Sequence, residues 1–285
     1  MALSHADGLL ACPRCGSPLS VEAGVVRCPD GHAYDVARQG YLNLLGGPQP
    51  ANADSAAMIE ARGRVLSEVY GDVVALVADA VAATGADVIV DAGAGTGQYL
   101  AAALDRLPDA VGIATDVSVA AARRASRAHD RLASIVADTW RELPVRTGVA
   151  QVVSCVFAPR NAAEFARVLS PEGHLVVVTP EPGHLASVRA SYGLLDLDPD
   201  KDERLAQSLG GLFTLVDSQR LTTVVDATAA QVADVIAMGP NAFHGTPVTE
   251  AMRIEIDVRC RTYVLEDHAG RDDDLPHREP GEDGG

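Results

Sequence analysis

Three cysteines and a histidine, Cys12, Cys15, Cys28 and His32, stand at a spacing that can hold one metal ion. Two residues separate Cys12 from Cys15, so one tight turn can aim both thiolates at a single point. Cys28 and His32 can return from the far end of a hairpin to complete a tetrahedron. Gly16 and Gly31 sit where such turns need a permissive backbone. A sulfur-rich shell of four protein ligands with no open position suits zinc in a structural role. The alternative is a set of ordinary buried cysteines beside a surface histidine. It fits poorly with three cysteines that each adjoin Pro or Gly.

A second constellation begins at Asp91, in the run Asp91-Ala-Gly-Ala-Gly-Thr-Gly97. It follows the short apolar strand pattern Val88-Ile-Val-Asp-Ala. Gly93, Gly95 and Gly97 let the chain turn sharply and approach a ligand without Cβ clashes. Asp116 ends the next strand pattern, where a carboxylate can accept both hydroxyls of a ribose. The pair reads as a nucleotide-cofactor pocket, with a purely structural strand-turn-helix as the alternative. A metal knuckle joined to a cofactor domain suggests an enzyme that grips something large before reacting with it.

The elements that must position these residues are legible in outline. Residues 10–46 alternate briefly and are rich in Cys, Pro and Gly, which suits β-hairpins too small to bury a core of their own. Residues 47–56 are a linker by composition, and apolar spacings of three and four predict one helical stretch over about 56–84. From residue 88, strand and helix patterns alternate. Strands are expected near 88–92, 110–115, 133–137, 151–157 and 174–179, the rhythm of a doubly wound parallel sheet. Patterns near 213–225 and 258–265 flank a helix at about 228–238 and can finish the sheet as an antiparallel pair. This gives segments 1–46 (metal module), 47–84 (linker and helical segment), 85–265 (cofactor domain) and 266–285 (acidic tail expected to be disordered).

Composition narrows the partners. The net charge of −16 is uneven, since residues 266–285 carry eight acidic and two basic side chains. The first 65 residues are close to neutral, and local patches rather than global charge decide phosphate binding. Arg38, Arg62 and Arg64 are the first candidates for gripping a polyanion. Arg123, Arg124, Arg127 and Arg131 are weighed against a merely solvated helix face. Cys155 and Cys260 fall on strand patterns and read as core. No stretch approaches the roughly 20 apolar residues of a membrane span, and no signal peptide is evident. A cytoplasmic protein is expected.

The spacing from Asp91 to Gly97 resembles motif I of S-adenosylmethionine-dependent methyltransferases rather than a dinucleotide fingerprint. That resemblance implies a class I, Rossmann-like α/β fold with a seven-stranded, mostly parallel sheet and a zinc-ribbon-like N-terminal domain. It places Asp91 near the methionine moiety and Asp138 near the adenine. Three further segments resemble the RlmA family of 23S rRNA (guanine-N1)-methyltransferases: Cys28 to Leu45, Phe157-Ala-Pro-Arg-Asn161 and Thr179-Pro-Glu-Pro-Gly-His-Leu185. Ile236 to His244 resembles its type II branch, which includes macrolide (tylosin) resistance enzymes.

The family resemblance implies zinc at Cys12, Cys15, Cys28 and His32, and cofactor contacts from Tyr70, Thr96, Gly97, Gln98, Asp116 and His184. It implies a guanine in the helix 35 loop of 23S rRNA (the guanine-748 type) as target, RNA choice by the zinc module, and a homodimer. Guanine N1 carries a proton and is hidden by pairing, so base flipping and a general base are needed; no residue is singled out as that base. Phe157 can stack on the flipped guanine or serve as core. Two other functions remain open: a small-molecule methyltransferase of antibiotic biosynthesis, which needs no RNA clamp, and a zinc-ribbon RNA-binding protein with an inactive cofactor domain.

Overall fold

A computed structural model describes residues 2–22, 24–195, 201–239 and 247–266. The acidic tail beyond 266 and part of the 236–244 motif lie outside the described residues. After a short 3-10 turn (Ala2–Ala6), strands β1 (Ser20–Glu22), β2 (Val25–Arg27) and β3 (Ala33–Asp35) pair antiparallel in that order. A two-residue strand, β4 (Leu42–Asn43), then leaves this small sheet and joins the main one.

Two helices follow, α1 (Ala56–Glu68) and α2 (Gly71–Ala82), where the sequence pattern suggested a single stretch. Ser55 caps α1 by accepting the Met58 N–H at 3.3 Å, a device worth about 1 kcal/mol. The break falls at Tyr70, whose backbone leaves the helical region (φ −101°, ψ 22°) while its N–H bonds to the Val65 carbonyl at 2.9 Å. Both helices bury apolar residues in one cluster, so the periodicity runs through the break without marking it.

The main domain alternates β5 (Val88–Ala92), α3 (Gln98–Arg106), β6 (Val111–Asp116), α4 (Val119–Ala125), β7 (Leu132–Val136), β8 (Ala150–Val156), α5 (Ala162–Val168) and β9 (Leu169–Pro180). Helices α6 (Ala186–Tyr192) and α7 (Lys201–Leu209), strand β10 (Phe213–Ala227), helix α8 (Ala229–Ala237) and strand β11 (Met252–Leu265) complete the described chain. The sheet order is β10-β11-β9-β8-β5-β6-β7-β4. Strands β4 to β9 pair in parallel, and β11 runs antiparallel to both β9 and β10. The seven strands β5 to β11 form the expected sheet. The eighth, β4, comes from the N-terminal module, with Leu42 opposite Ile135 and Asn43 opposite Val136. Strand order reverses at β5, between β6 and β8, and in open α/β sheets ligands bind outside the carboxyl ends at such a point.

Alternate residues of each strand face opposite layers. Ile89, Val152, Val176 and Val178 pack with α2, α3 and α8. Val90, Ile113, Ile135 and Val177 pack on the other face with α5 and with Leu3, Leu10, Leu19, Val26 and Leu42. The N-terminal module therefore shares a core with the sheet. The Ala11 N–H also donates to the Pro144 carbonyl at 3.1 Å, and the Arg146 N–H to the Leu9 carbonyl at 3.0 Å.

Two arginine expectations are corrected here. Helix α4 ends at Ala125, so neither Arg127 nor Arg131 is on it. The Arg131 guanidinium instead donates to the carbonyls of Leu104, Leu107 and Ala110, closing the C-terminal end of α3. Arg64 forms a bidentate pair with Asp234 on α8 at 2.6 and 2.7 Å, so it is committed within the fold rather than held out for a polyanion. Arg123, Arg124 and Arg127 remain exposed.

Deleting residues 1–46 uncovers Val90, Ile113 and Ile135, each worth roughly 1.5–3 kcal/mol when buried. Together with the module's own apolar residues, that loss rivals the total stability of a domain. The expected outcome is a fragment without cooperative thermal unfolding by circular dichroism. A soluble fragment that melts cooperatively at the full-length temperature would contradict the shared core.

Candidate functional site

The metal centre is built by two tight turns. The Gly16 N–H bonds to the Cys12 carbonyl at 2.8 Å and the Gly31 N–H to the Cys28 carbonyl at 3.1 Å. Both glycines adopt φ values, +72° and +84°, that favour residues without a Cβ. All four candidate ligand atoms lie within 4.8 Å of one another. A tetrahedral zinc with ~2.3 Å Zn–S and ~2.0 Å Zn–N bonds separates sulfurs by about 3.8 Å, and sulfur from nitrogen by about 3.5 Å. Cys15 and Cys28 sulfurs lie 3.7 Å apart, and Nδ1 of His32 lies 3.5 and 3.4 Å from the sulfurs of Cys12 and Cys28. The donor set and its spacing therefore fit zinc, bound through Nδ1. The Tyr34 hydroxyl lies 3.1 Å from Cys12 Sγ, and burial raises the hydroxyl's pKa, which keeps it a donor to a thiolate. Four protein ligands leave no corner for a substrate, so the metal is structural.

The second site is a cavity of about 690 Å³ along the carboxyl ends of β5 to β9. After β5 the chain turns because the N–H groups of Gly93 and Ala94 both donate to the Thr115 carbonyl, at 2.8 and 3.0 Å. Gly93 has φ +79°, and a Cβ there would stand 2.4 Å from that of Ala158. Asp116 closes the turn from β6. Its two oxygens accept the N–H groups of Gly95 (2.9 Å) and Ser118 (2.8 Å). Burial raises its pKa, and those two backbone donors oppose the rise. Each oxygen keeps a lone pair for a hydroxyl.

Asp91 lies just below this turn, fully buried. Its Oδ1 accepts the Ser154 hydroxyl at 2.8 Å, while Oδ2 has no partner. Burial pushes its carboxyl up to about 7, with Ser154 opposing and Asp116 reinforcing the shift. A cationic group settling beside Oδ2 would restore full ionisation. An orphaned carboxylate oxygen, a glycine cradle and Asp116 together fit S-adenosylmethionine, with its ammonium group and ribose diol.

Tyr70, Phe157 and His184 form an aromatic wall. Phe157 stacks on His184 (centroids 5.8 Å, 23° between planes) and meets Tyr70 edge-on at 6.5 Å. The backbone N–H of Asp257 donates to His184 Nδ1 at 3.3 Å. That makes Nε2 the protonated nitrogen, and it donates to the Tyr70 oxygen at 3.0 Å. Arg189, which also lines the cavity, donates to the carbonyls of Pro182 and His184. Phe157 and Leu185 are the non-glycine residues at positive φ among the described residues, both at 53°, and both line the cavity. Such backbone strain concentrates at ligand sites.

Of the residues expected to touch the cofactor, Tyr70, Gly93, Gly95, Asp116, Asp138 and His184 line the cavity. Asp91, Thr96, Gly97 and Gln98 do not. Thr96 is fully buried. Gln98 donates to Ser67 at 2.9 Å and to the Gly63 carbonyl at 3.4 Å, so its amide group is directed at α1. A Cβ on Gly97 would press within 3.0 Å of Ala125. The linker also proves to be a wall: Pro50, Asn52, Ala53 and Asp54 line the cavity. Gln49 Oε1 accepts the Val119 N–H at 2.8 Å, and the Asp54 carbonyl accepts the Ser118 hydroxyl at 2.7 Å. Arg62, expected to grip a polyanion, instead pairs with Asp54 and donates to the Met238 carbonyl at 2.8 Å, fixing that wall. Tyr99 and Trp140 also line the cavity and carried no motif. Cys155 and Cys260 are buried core, with both thiols pushed up to about 12 by burial.

The family model described as RlmA, N-terminal, a zinc ribbon, matches residues 10–49. A Streptomyces fradiae protein named 23S rRNA (guanine(748)-N(1))-methyltransferase is 43% identical over 250 residues, covering 86% of this chain and 89% of its own. A Micromonospora griseorubida protein, provisionally named 23S rRNA (guanine-N(1)-)-methyltransferase, is 42% identical over 273 residues, covering 88% and 92%. Bacillus subtilis YxjB, provisionally given the same name, is 31% identical over 192 residues, covering 64% and 67%.

Two outcomes follow from the geometry. Elemental analysis should find one zinc per chain. Cys28→Ser should lose it, with several kcal/mol of stability and a melting temperature lower by about 10 °C; unchanged melting without zinc would contradict a structural role. Gly93→Ala should cost about 3 kcal/mol from its positive φ and its overlap with Ala158, and should weaken S-adenosylhomocysteine binding measured by calorimetry. Wild-type affinity in that variant would mean the turn does not approach the cofactor.

Proposed function

The chain belongs to the 23S rRNA (guanine-N1)-methyltransferase family, and on that premise we propose how its own residues carry out the transfer. It is an S-adenosylmethionine-dependent methyltransferase with a zinc ribbon. Its target is N1 of a guanine in the helix 35 loop, of the guanine-748 type. The observation that carries this reading is the meeting, in one fold, of a zinc tetrahedron and a cavity at the switch point that fits the methyl donor. A zinc ribbon sharing its core with the cofactor domain suits a large substrate better than a small one. The work follows as a homodimer acting in the cytoplasm, as the family resemblance implies.

When bound, S-adenosylmethionine supplies a methyl group already activated by the sulfonium charge, so the protein mainly provides alignment. Asp116 would hold the ribose hydroxyls and Asp138 would approach the adenine, while Asp91, buried beneath the glycine turn, would set its carboxylate behind the ammonium end. Tyr70 and His184, the latter oriented by the Asp257 N–H, shape the aromatic wall of the cavity. Phe157, 40% exposed at the mouth, receives the face of the guanine once it leaves its stack. Guanine N1 gives up its proton as it takes the methyl group, and water at the open mouth of the cavity can accept that proton. The likeness to the type II branch makes macrolide (tylosin) resistance the consequence we assign to that methyl group.

Primer extension across 23S rRNA, from cells with and without the gene, tests the proposal. An N1 methyl blocks Watson–Crick pairing, so reverse transcriptase should stop beside one guanine of helix 35 only when the gene is present. Absence of an enzyme-dependent stop there would overturn the target assignment.

A further inference from the structure

Trp140 is the only tryptophan of the chain, and it lines the cavity mouth while 68% exposed. Its loop is held in place. The Trp140 N–H donates to Asp138 Oδ1 at 3.0 Å. Asn161, whose side-chain oxygen caps α5, also donates its amide to the carbonyls of Thr139 (3.1 Å) and Arg141 (3.3 Å). These bonds tie the Trp140 loop to the Phe157–Asn161 segment, so two exposed aromatics share one rim on a fixed frame.

An arginine follows each ring closely in sequence. Arg141 is three-quarters exposed and holds Asp138 only loosely, at 3.6 Å. Arg160 has no ion pair or hydrogen bond among the described residues. In a chain of net charge −16, two arginines adjoin these rings in sequence, Arg141 directly after Trp140 and Arg160 three residues after Phe157. Aromatic faces with adjacent cations are how proteins hold single-stranded nucleic acid: bases stack on the rings and the cations follow the phosphates.

We propose that Trp140 is a stacking subsite for an RNA base adjoining the methylated guanine; this rests on the rRNA-methyltransferase reading above. The guanine enters past Phe157, and its neighbour lies on the indole outside the cavity, with the exposed Arg141 beside the intervening phosphate. The cofactor's adenine is the competing occupant. An adenine belongs inside, against Asp138, whereas most of the indole faces outward, beside charges that suit a polyanion.

The test is a titration of the full chain, followed by Trp140 fluorescence, with a 23S rRNA stem-loop carrying the target guanine and separately with S-adenosylhomocysteine. Parallel binding and methylation assays use Trp140→Ala and Trp140→Phe. RNA should quench the wild-type emission and S-adenosylhomocysteine alone should not. Trp140→Ala should bind the stem-loop about 5- to 100-fold more weakly, raising KM for RNA while leaving cofactor affinity in place, and Trp140→Phe should restore most of the binding. Quenching by S-adenosylhomocysteine and not by RNA would hand the indole to the adenine and overturn the subsite. Wild-type affinity in Trp140→Ala, with the wild-type protein methylating the stem-loop, would overturn the subsite alone. A wild-type protein that neither binds nor methylates the stem-loop would overturn the rRNA reading itself, and the subsite with it.

Discussion

Strands β5, β6 and β7 are apolar on both faces, and a parallel sheet of that kind folds only when both faces are covered. Helices α2, α3 and α8 cover one layer. On the other, α5 needs the help of the N-terminal module, whose Leu10, Leu19 and Leu42 complete the core. A module of three short strands cannot hold its shape by its own burial. The zinc tetrahedron supplies the missing rigidity, so the metal reaches the sheet through the residues packed beneath it. The chain that leaves the module then adds β4 to the sheet edge and lays Pro50 to Asp54 along the cofactor cavity. Metal, sheet and cavity wall are thereby mechanically joined.

The polarity of the cavity follows from where the strands end. Carboxyl ends deliver Asp91 and Asp116 into a buried space, where their pKa values rise through desolvation. The backbone N–H groups of Gly95 and Ser118 keep Asp116 useful as an acceptor. Arg62, whose charge acts on Asp116, is occupied by Asp54 and the Met238 carbonyl. The interior therefore favours a cationic, hydroxyl-bearing ligand. Its mouth, with Arg141 beside Trp140, favours the opposite charge. One cleft can thus take a cationic cofactor inside and meet a polyanionic substrate at its mouth.

Much of this was legible in the sequence because it is local. Cys12, Cys15, Cys28 and His32 announce themselves through spacing and neighbouring glycines, and Gly93 to Gly97 through the strand before and Asp116 after. The sheet from β5 to β11 could be read from alternating apolar runs. What stayed hidden depends on partners far apart in the chain. Arg62 resembled any exposed helical arginine until Asp54 and Met238 closed on it, 8 and 176 residues away. Arg131 serves carbonyls of α3 that no local pattern links to it. The break at Tyr70 was masked by apolar spacing continuous across it. Gln98 was expected at the cofactor on the strength of family likeness, yet its amide is engaged by α1.

The mechanical joining of zinc to cavity is open to one direct measurement: calorimetric titration of S-adenosylhomocysteine into zinc-loaded protein and into protein stripped of zinc by a chelator. Affinity is expected to fall at least about tenfold with the metal, because the wall from Pro50 to Asp54 and the β4–β7 edge hang from the module the zinc shapes. Unchanged affinity in the stripped protein, with rRNA methylation alone lost, would contradict that joining and leave the zinc module as an RNA grip and nothing more.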